Sequence, residues 1–301
     1  MARLWKEKYL FLRRIVQVGI LTLFVLGNFA LLEVRNHQDV GKMAVLNTYD
    51  LKVEGALLSK SNLSSILSGD LSFSKVFETI PLSDPFATLQ LFVAGGGLAF
   101  DVWLGALIVS LFYGVFAGRA YCGWVCPINL VVDLSAWLRR KLSITTSLLN
   151  LPRGFKYLVL ALSLALSILF GVGAFEMINP VSMLSRGIVF GMGFGILGIV
   201  MIFLFDLCVL KNGFCGHICP IGATFSLIGK FSLLKVKHKV QNCTKCMKCV
   251  EICPEKQVLD MIGKKDARVT QMACIKCGRC IDVCSDNALS FSILGGKNEN
   301  A

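Results

Sequence analysis

The sequence predicts an α-helical membrane protein: a four-transmembrane-helix bundle followed by a small cysteine-rich α+β module. Three observations carry this. The 301 residues are 55% hydrophobic with a mean hydropathy of +0.67, too apolar for an ordinary soluble chain. The apolar residues gather into four runs, each about long enough to cross a bilayer. Eight of the thirteen cysteines fall between Cys243 and Cys284, in two evenly spaced sets. The expected division is a membrane domain over 1–232 and the module over 233–301.

The cysteines decide the module. Cys243, Cys246, Cys249 and Cys253 follow C-x2-C-x2-C-x3-C spacing, and Cys274, Cys277, Cys280 and Cys284 repeat it. This is the spacing of bacterial 2[4Fe-4S] ferredoxins. Three cysteines on a tight loop reach three corners of one cubane; the fourth, three residues on, has left the loop and points at the other. Cys243, Cys246, Cys249 and Cys284 are therefore expected on one cluster, and Cys274, Cys277, Cys280 and Cys253 on the second. Zinc uses isolated C-x2-C pairs or mixed Cys and His, with no use for a third evenly spaced cysteine. Disulfides suit an exported domain, whereas the lysines and arginines interleaved here point to the reducing side. Pro254 follows the first set but Ser285 the second, a departure that touches turn geometry and leaves the ligands intact.

The spans follow in order. Residues 1–14 carry Arg3, Lys6, Lys8, Arg13 and Arg14 against Glu7 alone, and 15–32 is then apolar. A cleaved leader would need a shorter apolar run and a small-residue site, which Leu31-Leu32-Glu33 does not offer. A retained anchor also explains Arg13-Arg14 better than twin-arginine export does. Residues 33–85 are polar and slightly acidic, with 59–74 a candidate amphipathic segment, and should lie outside the cytoplasm. The second span is expected at 98–117, with 86–94 lying along the outer interface or re-entering. The third runs over 157–175. A short outer turn at 176–186 contains Asn179-Pro180, and the fourth span, 187–207, is lined by Gly191, Gly193, Gly195 and Gly198, which let helices approach closely.

The net charge of +12 needs no nucleic acid, because basic residues beside spans are held on the cytoplasmic side. The loop 119–156 and the tail from 208 are the basic segments, the tail with fourteen lysines and arginines against seven acids. Four spans and this bias agree: multi-pass in the bacterial inner membrane, both termini cytoplasmic.

Two segments resemble each other. Cys122-Gly-Trp-Val-Cys126-Pro127 and Cys215-Gly-His-Ile-Cys219-Pro220 each follow an inward-running span and precede an apolar stretch. The unit is a descending helix, a C-x3-C-P motif and an interfacial helix, and any pseudo-symmetry axis lies along the membrane normal. Proline makes each motif a turn entering a helix. Four cysteines could converge there as a cage for a metal or cluster, as redox thiols, or simply as packing. Cys208, lone and in apolar context, reads as packing.

With these elements in place the chain resembles the NapH-type ferredoxin proteins. The four spans, the two C-x3-C-P motifs at the inner ends of spans two and four, and the tandem ferredoxin motifs carry the likeness over nearly the whole chain. The resemblance implies a quinol dehydrogenase subunit that oxidises menaquinol or ubiquinol from the membrane quinone pool. It also implies electron delivery, with a NapG-type iron–sulfur subunit, toward a periplasmic nitrate reductase. Two [4Fe-4S] clusters are its expected cofactors. Cys122, Cys126, Cys215, Cys219 and His217 are the candidate residues for the redox site, His217 because imidazole titrates near neutrality. The alternative for His217 is an interfacial residue bonded to backbone. Asp101, Glu176 and Asp206 are further ionisable groups within or at the ends of spans; Asp206 could instead cap its span beside Lys211, and Glu176 could pair with Arg186. Lys245, Lys248, Lys276 and Arg279 would raise the cluster potentials and attract an acidic partner, or form a solvated basic face.

Other classes make different demands on the chain. A membrane polyferredoxin for oxidase assembly or metal reduction would carry a further soluble domain, which the residues after Phe291 are too few to supply. A NosR-type regulator would need a large flavin-binding domain, which 33–85 cannot supply. A non-enzymatic scaffold for the true dehydrogenase would use the basic face alone.

Overall fold

A computed structural model describes residues 8–27, 67–69, 72–76, 79–144, 147–149, 151–176, 178–190 and 195–293. Most of the polar loop at 33–85 lies outside the described residues, as do Gly191 and Gly193 of the expected glycine-lined span. The chain divides into two compact units, one of residues 19–109 and 164–201, the other of 1–18, 110–163 and 202–301.

In the first unit, β1 (Leu67–Gly69), β2 (Phe73–Val76) and β3 (Ile80–Ser83) form an antiparallel meander that overlaps only the end of the candidate amphipathic segment at 59–74, whose first eight residues lie outside the described residues. Phe73 pairs with Ser83 and Val76 with Ile80. Asp84 then caps a helix, accepting from the Phe86 amide at 3.0 Å, with Pro85 at the first helical position, where its missing N–H costs nothing. That helix, Pro85–Val93, buries Phe86 edge-on against Phe175. The expected outer turn at 176–186 is corrected by the helix Pro180–Phe190. Asn179 and Pro180 are its cap and first residue: Asn179 Oδ1 accepts from the Val181 amide at 3.0 Å. The Asn-Pro pair punctuates a turn and a helix start alike. Glycine does permit close approach here, since a Cβ at Gly195 would lie 3.0 Å from the Met183 carbonyl oxygen.

The suspected carboxylates of this unit have partners. Asp101 pairs with Lys75 at 2.8 Å. Glu176 accepts from the Ser72 and Ser182 hydroxyls and from the Asn179 amide, so it anchors the loop; the Arg186 side chain lies outside the described residues.

Two helices are long and apolar enough to cross a membrane, Lys8–Leu26 and Phe100–Ala117, and two shorter apolar ones are Phe155–Phe170 and Gly195–Val209. This is consistent with a membrane protein. Both long helices expose large apolar side chains, among them Phe11, Ile15, Leu107 and Phe116.

The second unit holds the iron–sulfur module. A three-stranded antiparallel sheet, in the order β5-β4-β6, is formed by β4 (Leu234–His238), β5 (Ala267–Arg268) and β6 (Leu289–Ile293). Val236, Val258, Leu259, Met261, Ile262, Val269 and Leu289 form its core, and cysteines of both sets pack on it. Each cysteine loop ends in a short helix, Lys248–Ile252 and Arg279–Asp282. The same unit contains both C-x3-C-P motifs. Helices Ile128–Lys141 and Pro220–Ile228 follow them, each entered through its proline. π-Helical turns at Tyr113–Ala117 and Phe205–Val209 precede the motifs, and a third at Phe214–Ile218 carries the second one; such turns recur at functional sites.

A candidate iron–sulfur site

The two cysteine loops fold by the same local rule. Lys245 and Met247 in the first, and Lys276 and Gly278 in the second, take left-handed backbone, with φ of 59°, 59°, 51° and 76°. These are the same motif positions, two and four residues after the leading cysteine. A loop that reverses twice in five residues turns successive cysteines toward a common centre. The left-handed conformation costs a non-glycine residue roughly 1–2 kcal/mol, so both loops are held by what surrounds them.

Cys243, Cys246, Cys249 and Cys284 line one cavity, floored by Ile262, Ala288 and Leu289. Cys277, Cys274 and Cys253 are the strongest charged neighbours of Cys280, with Cys249 of the first set after them. Among the described residues no group of three or more His, Cys, Asp or Glu closes on a single metal ion. A cubane, with iron at four corners, holds its thiolates further apart than one ion does. The donor chemistry fits a cubane. Burial pushes the Cys274 thiol up to about 11 and the Cys253 and Cys280 thiols up as well, so they ionise only beside a cation such as iron.

The surroundings of the second loop were not visible in its motif. Gly123, in the first C-x3-C-P motif, lies so close that a Cβ there would be 2.7 Å from the Ile275 carbonyl oxygen. Trp124 Nε1 donates to the Lys276 carbonyl at 2.9 Å. Lys276 bonds Ser232, and Arg279 pairs with Asp133. Both cations are buried, which corrects their reading as a solvated face; Lys245 and Lys248 are exposed.

Asp133 collects three arginines: Arg279, Arg13 at 2.6 Å and Arg14 at 2.8 Å. The Arg13-Arg14 pair thus ties the first helix to the module. Asp133 was findable as the only acid between residues 119 and 156. A second knot joins Arg119 and Arg153 to Glu255. Arg119 also donates to the Cys215 carbonyl at 2.8 Å and the Ala273 carbonyl at 3.1 Å, touching the second C-x3-C-P motif and the second cluster loop at once.

Cys122, Cys126, Cys215 and Cys219 lie near enough to feel one another's charge. Burial pushes Cys219 up to about 12 and, next, Cys122 beside it adds to the shift. His217 is buried, with backbone carbonyls of Asn212 and Gly213 as partners, and its Nδ1 has none among the described residues; burial lowers its pKa. Asp206 accepts from the Phe214 amide at 2.9 Å, capping the turn that carries the second motif; Lys211 donates instead to the Glu251 carbonyl. Cys208 is exposed, against its reading as a packing residue.

The comparisons follow this division. A family model described as a 4Fe-4S binding domain matches residues 99–145 and 190–240, the two halves of the C-x3-C-P repeat. One described as a 4Fe-4S dicluster domain matches 242–289. The methylamine utilization ferredoxin-type protein MauN of Methylorubrum extorquens is 45% identical over 195 residues, 64% of this chain and 68% of the relative. The ferredoxin-type protein NapH of Haemophilus influenzae is 44% identical over 204 residues, 67% of this chain and 71% of the relative. NapH of Escherichia coli is 42% identical over 195 residues, 64% and 68% of the two chains. No solved structure matches. The chain belongs to the family of ferredoxin-type iron–sulfur proteins that includes NapH and MauN.

Proposed function

We propose that the chain is the membrane subunit of a quinol dehydrogenase complex in the bacterial inner membrane. It takes electrons from menaquinol or ubiquinol and, with a NapG-type iron–sulfur subunit, sends them toward a periplasmic nitrate reductase. It would cross the membrane four times, at 15–32, 98–117, 157–175 and 187–207, with both termini cytoplasmic. The observation that carries the reading is the seating of the first C-x3-C-P motif on the second cysteine loop through Gly123 and Trp124. That contact supports electron exchange without a linker between the membrane side and the iron–sulfur module.

Quinol oxidation to quinone releases two electrons and two protons; two [4Fe-4S] clusters, one on Cys243, Cys246, Cys249 and Cys284 and one on Cys274, Cys277, Cys280 and Cys253, supply single-electron acceptors when bound. The protein's part is to hold and tune them. Three arginines against the one carboxylate of Asp133 leave positive charge beside the second loop, which favours an added electron there. Apolar packing on the module core keeps water from the inner cysteines. Cys122, Cys126, Cys215 and Cys219 would line the approach from the membrane, with His217 held among them.

Reconstituted with menaquinol, the protein should show reduced-cluster signals by electron paramagnetic resonance. No reduction, with copper reduced instead, would leave the polyferredoxin reading. Cys243→Ala and Cys274→Ala should each remove one cubane signal, and a variant keeping both would overturn the ligand sets. A C-terminal reporter active only outside the inner membrane should stay dark.

A second destination is supported by the relatives. MauN of Methylobacillus flagellatus, 34% identical, aligns over 86% of this chain, and its name ties it to methylamine utilization. The same membrane subunit would then serve methylamine oxidation. Growth of a deletion strain on nitrate against methylamine separates the two.

A further inference from the structure

We infer that the chain binds the phosphate group of one anionic lipid, in a basic cleft beside the second cysteine loop at the end of the apolar helix Phe100–Ala117. The inference rests on the membrane placement proposed above and is independent of the electron route.

Four cations line the cleft, Arg119, Lys230, Lys235 and Lys276, and no carboxylate does. Its volume is about 320 Å³ counting the open mouth, room for a headgroup phosphate. Burial is graded along it. Arg119 and Lys276 are 2% and 6% exposed, Lys235 is half-buried and Lys230 is exposed.

The two ends of the cleft differ in what answers their charge. At the buried end, Arg119 meets Glu255, which Arg153 shares, and Lys276 bonds the Ser232 hydroxyl. That hydroxyl accepts from the ammonium and keeps its own proton to donate. A thiolate at Cys274, which lines the same cleft, balances part of this charge. At the open end, Lys230 and Lys235 have no carboxylate partner among the described residues. Cations crowded around one cleft repel one another, and an anion seated among them reverses the sign of that interaction.

The rim selects a lipid over a free ion. The turn Gly229–Phe231 packs on the last turn of the apolar helix: a Cβ at Gly229 would lie 2.5 Å from Gly118 Cα. Next to it, the Leu233 amide donates to the Val115 carbonyl at 2.7 Å. Phe116, Leu227 and Phe231, on or beside these segments, are 58%, 50% and 79% exposed. They offer an acyl chain an apolar surface where the cations offer its phosphate a seat. Lys230 holds its ammonium 5.7 Å from the Phe231 ring centroid, an apolar stem and charged head suited to headgroup depth. Basic pockets at the cytoplasmic ends of spans recognise lipid headgroups in this way.

The test is native mass spectrometry of the full chain, purified anaerobically in a neutral detergent. It is titrated separately with phosphatidylglycerol, phosphatidylcholine and inorganic phosphate. One phosphatidylglycerol per chain should bind, about tenfold more tightly than phosphatidylcholine. Lys230→Gln with Lys235→Gln should weaken it about tenfold. The same charge change at Lys264→Gln with Lys265→Gln, exposed and outside the cleft, should not. Equal binding of the two lipids, or equal loss in the two double variants, overturns the inference. Inorganic phosphate binding as tightly as the lipid keeps the anion seat and overturns its lipid source. Should the cleft variant lose iron or fail to fold, the wild-type contrast between the two lipids still decides. The titration in detergent needs no orientation, whereas the C-terminal reporter tests topology alone, so the two failures are distinguishable.

Discussion

The two cysteine loops share a motif and a backbone and differ in everything around them. Residues 244–248 of the first are all exposed, and their counterparts 275–279 in the second are all buried. The lysine two residues after the leading cysteine meets solvent in one loop, as Lys245, and Ser232 in the other, as Lys276. The first loop is an open tip. The second is clasped by the C-x3-C-P motif, the first helix and the Asp133 cluster. Spacing thus sets what a loop can bind, and the surfaces that close over it set whom it can exchange electrons with. On the proposed electron route, the inward loop would face the membrane donor and the outward one a soluble partner.

The largest test of this asymmetry is Asp133→Ala. It leaves Arg13 and Arg279 buried without their carboxylate, and stripping one partner from a buried ion pair costs about 3–5 kcal/mol. Thermal unfolding monitored by cluster bleaching should shift accordingly, with the second loop's signal lost first. The comparable change in the first loop is Asp286→Ala. It removes an exposed cap on Thr244 and should leave the melting temperature close to wild type. Equal losses from the two would erase the distinction drawn between the loops.

Gly123→Ala comes next. The atom it would strike is backbone, the Ile275 carbonyl oxygen, which cannot swing aside as a side-chain end can. Overpacking of this kind costs roughly 1–3 kcal/mol. Chelator challenge should strip iron from the second loop faster in this variant and leave the first loop's rate unaltered.

The fourth position after each leading cysteine offers a smaller effect. Gly278→Ala adds a Cβ in left-handed backbone and 2.6 Å from Tyr9 Cβ, for a loss of about 1–2 kcal/mol in the backbone alone. Met247→Gly relieves the same strain in the open loop while freeing the unfolded chain, and should change stability by less than about 1 kcal/mol. Guanidinium unfolding curves of the two variants measure the pair directly.

What could be read in the sequence was local. Even cysteine spacing makes a two-loop iron–sulfur module legible, because ligand geometry is written within a dozen residues. The repeat was equally plain, since cysteine, glycine and proline recur at fixed offsets in both copies. The burial of Lys276 and Arg279 was not, because their partners Ser232 and Asp133 lie 44 and 146 residues away. Asn179-Pro180 misled for a different reason: the same two residues serve a turn and a helix cap, and only the chain beyond them decides. Arg13-Arg14 looked like a membrane-flanking charge and is also a structural clasp on the module. Solitary charge was the unused signal, since a lone Asp133 in a basic stretch needs a reason to be there.

The smallest effect on stability should carry the sharpest functional difference. Lys245 and Lys248 are exposed and lie beside Cys246, itself exposed, so replacing both with glutamine should not move the melting temperature. Their charge should instead steer an acidic electron-transfer partner onto the open loop, and steering acts on the association rate and fades with salt. At low ionic strength the double variant should exchange electrons with an acidic soluble acceptor about tenfold more slowly, and near wild-type rate at high salt. Stopped-flow oxidation of the reduced protein across a salt series measures both. Lys276→Gln, made in the clasped loop, should show the opposite pattern, weakening iron retention while leaving the salt dependence intact. If Lys276→Gln changed the salt dependence and the Lys245 and Lys248 pair did not, the inward and outward roles would have to be exchanged.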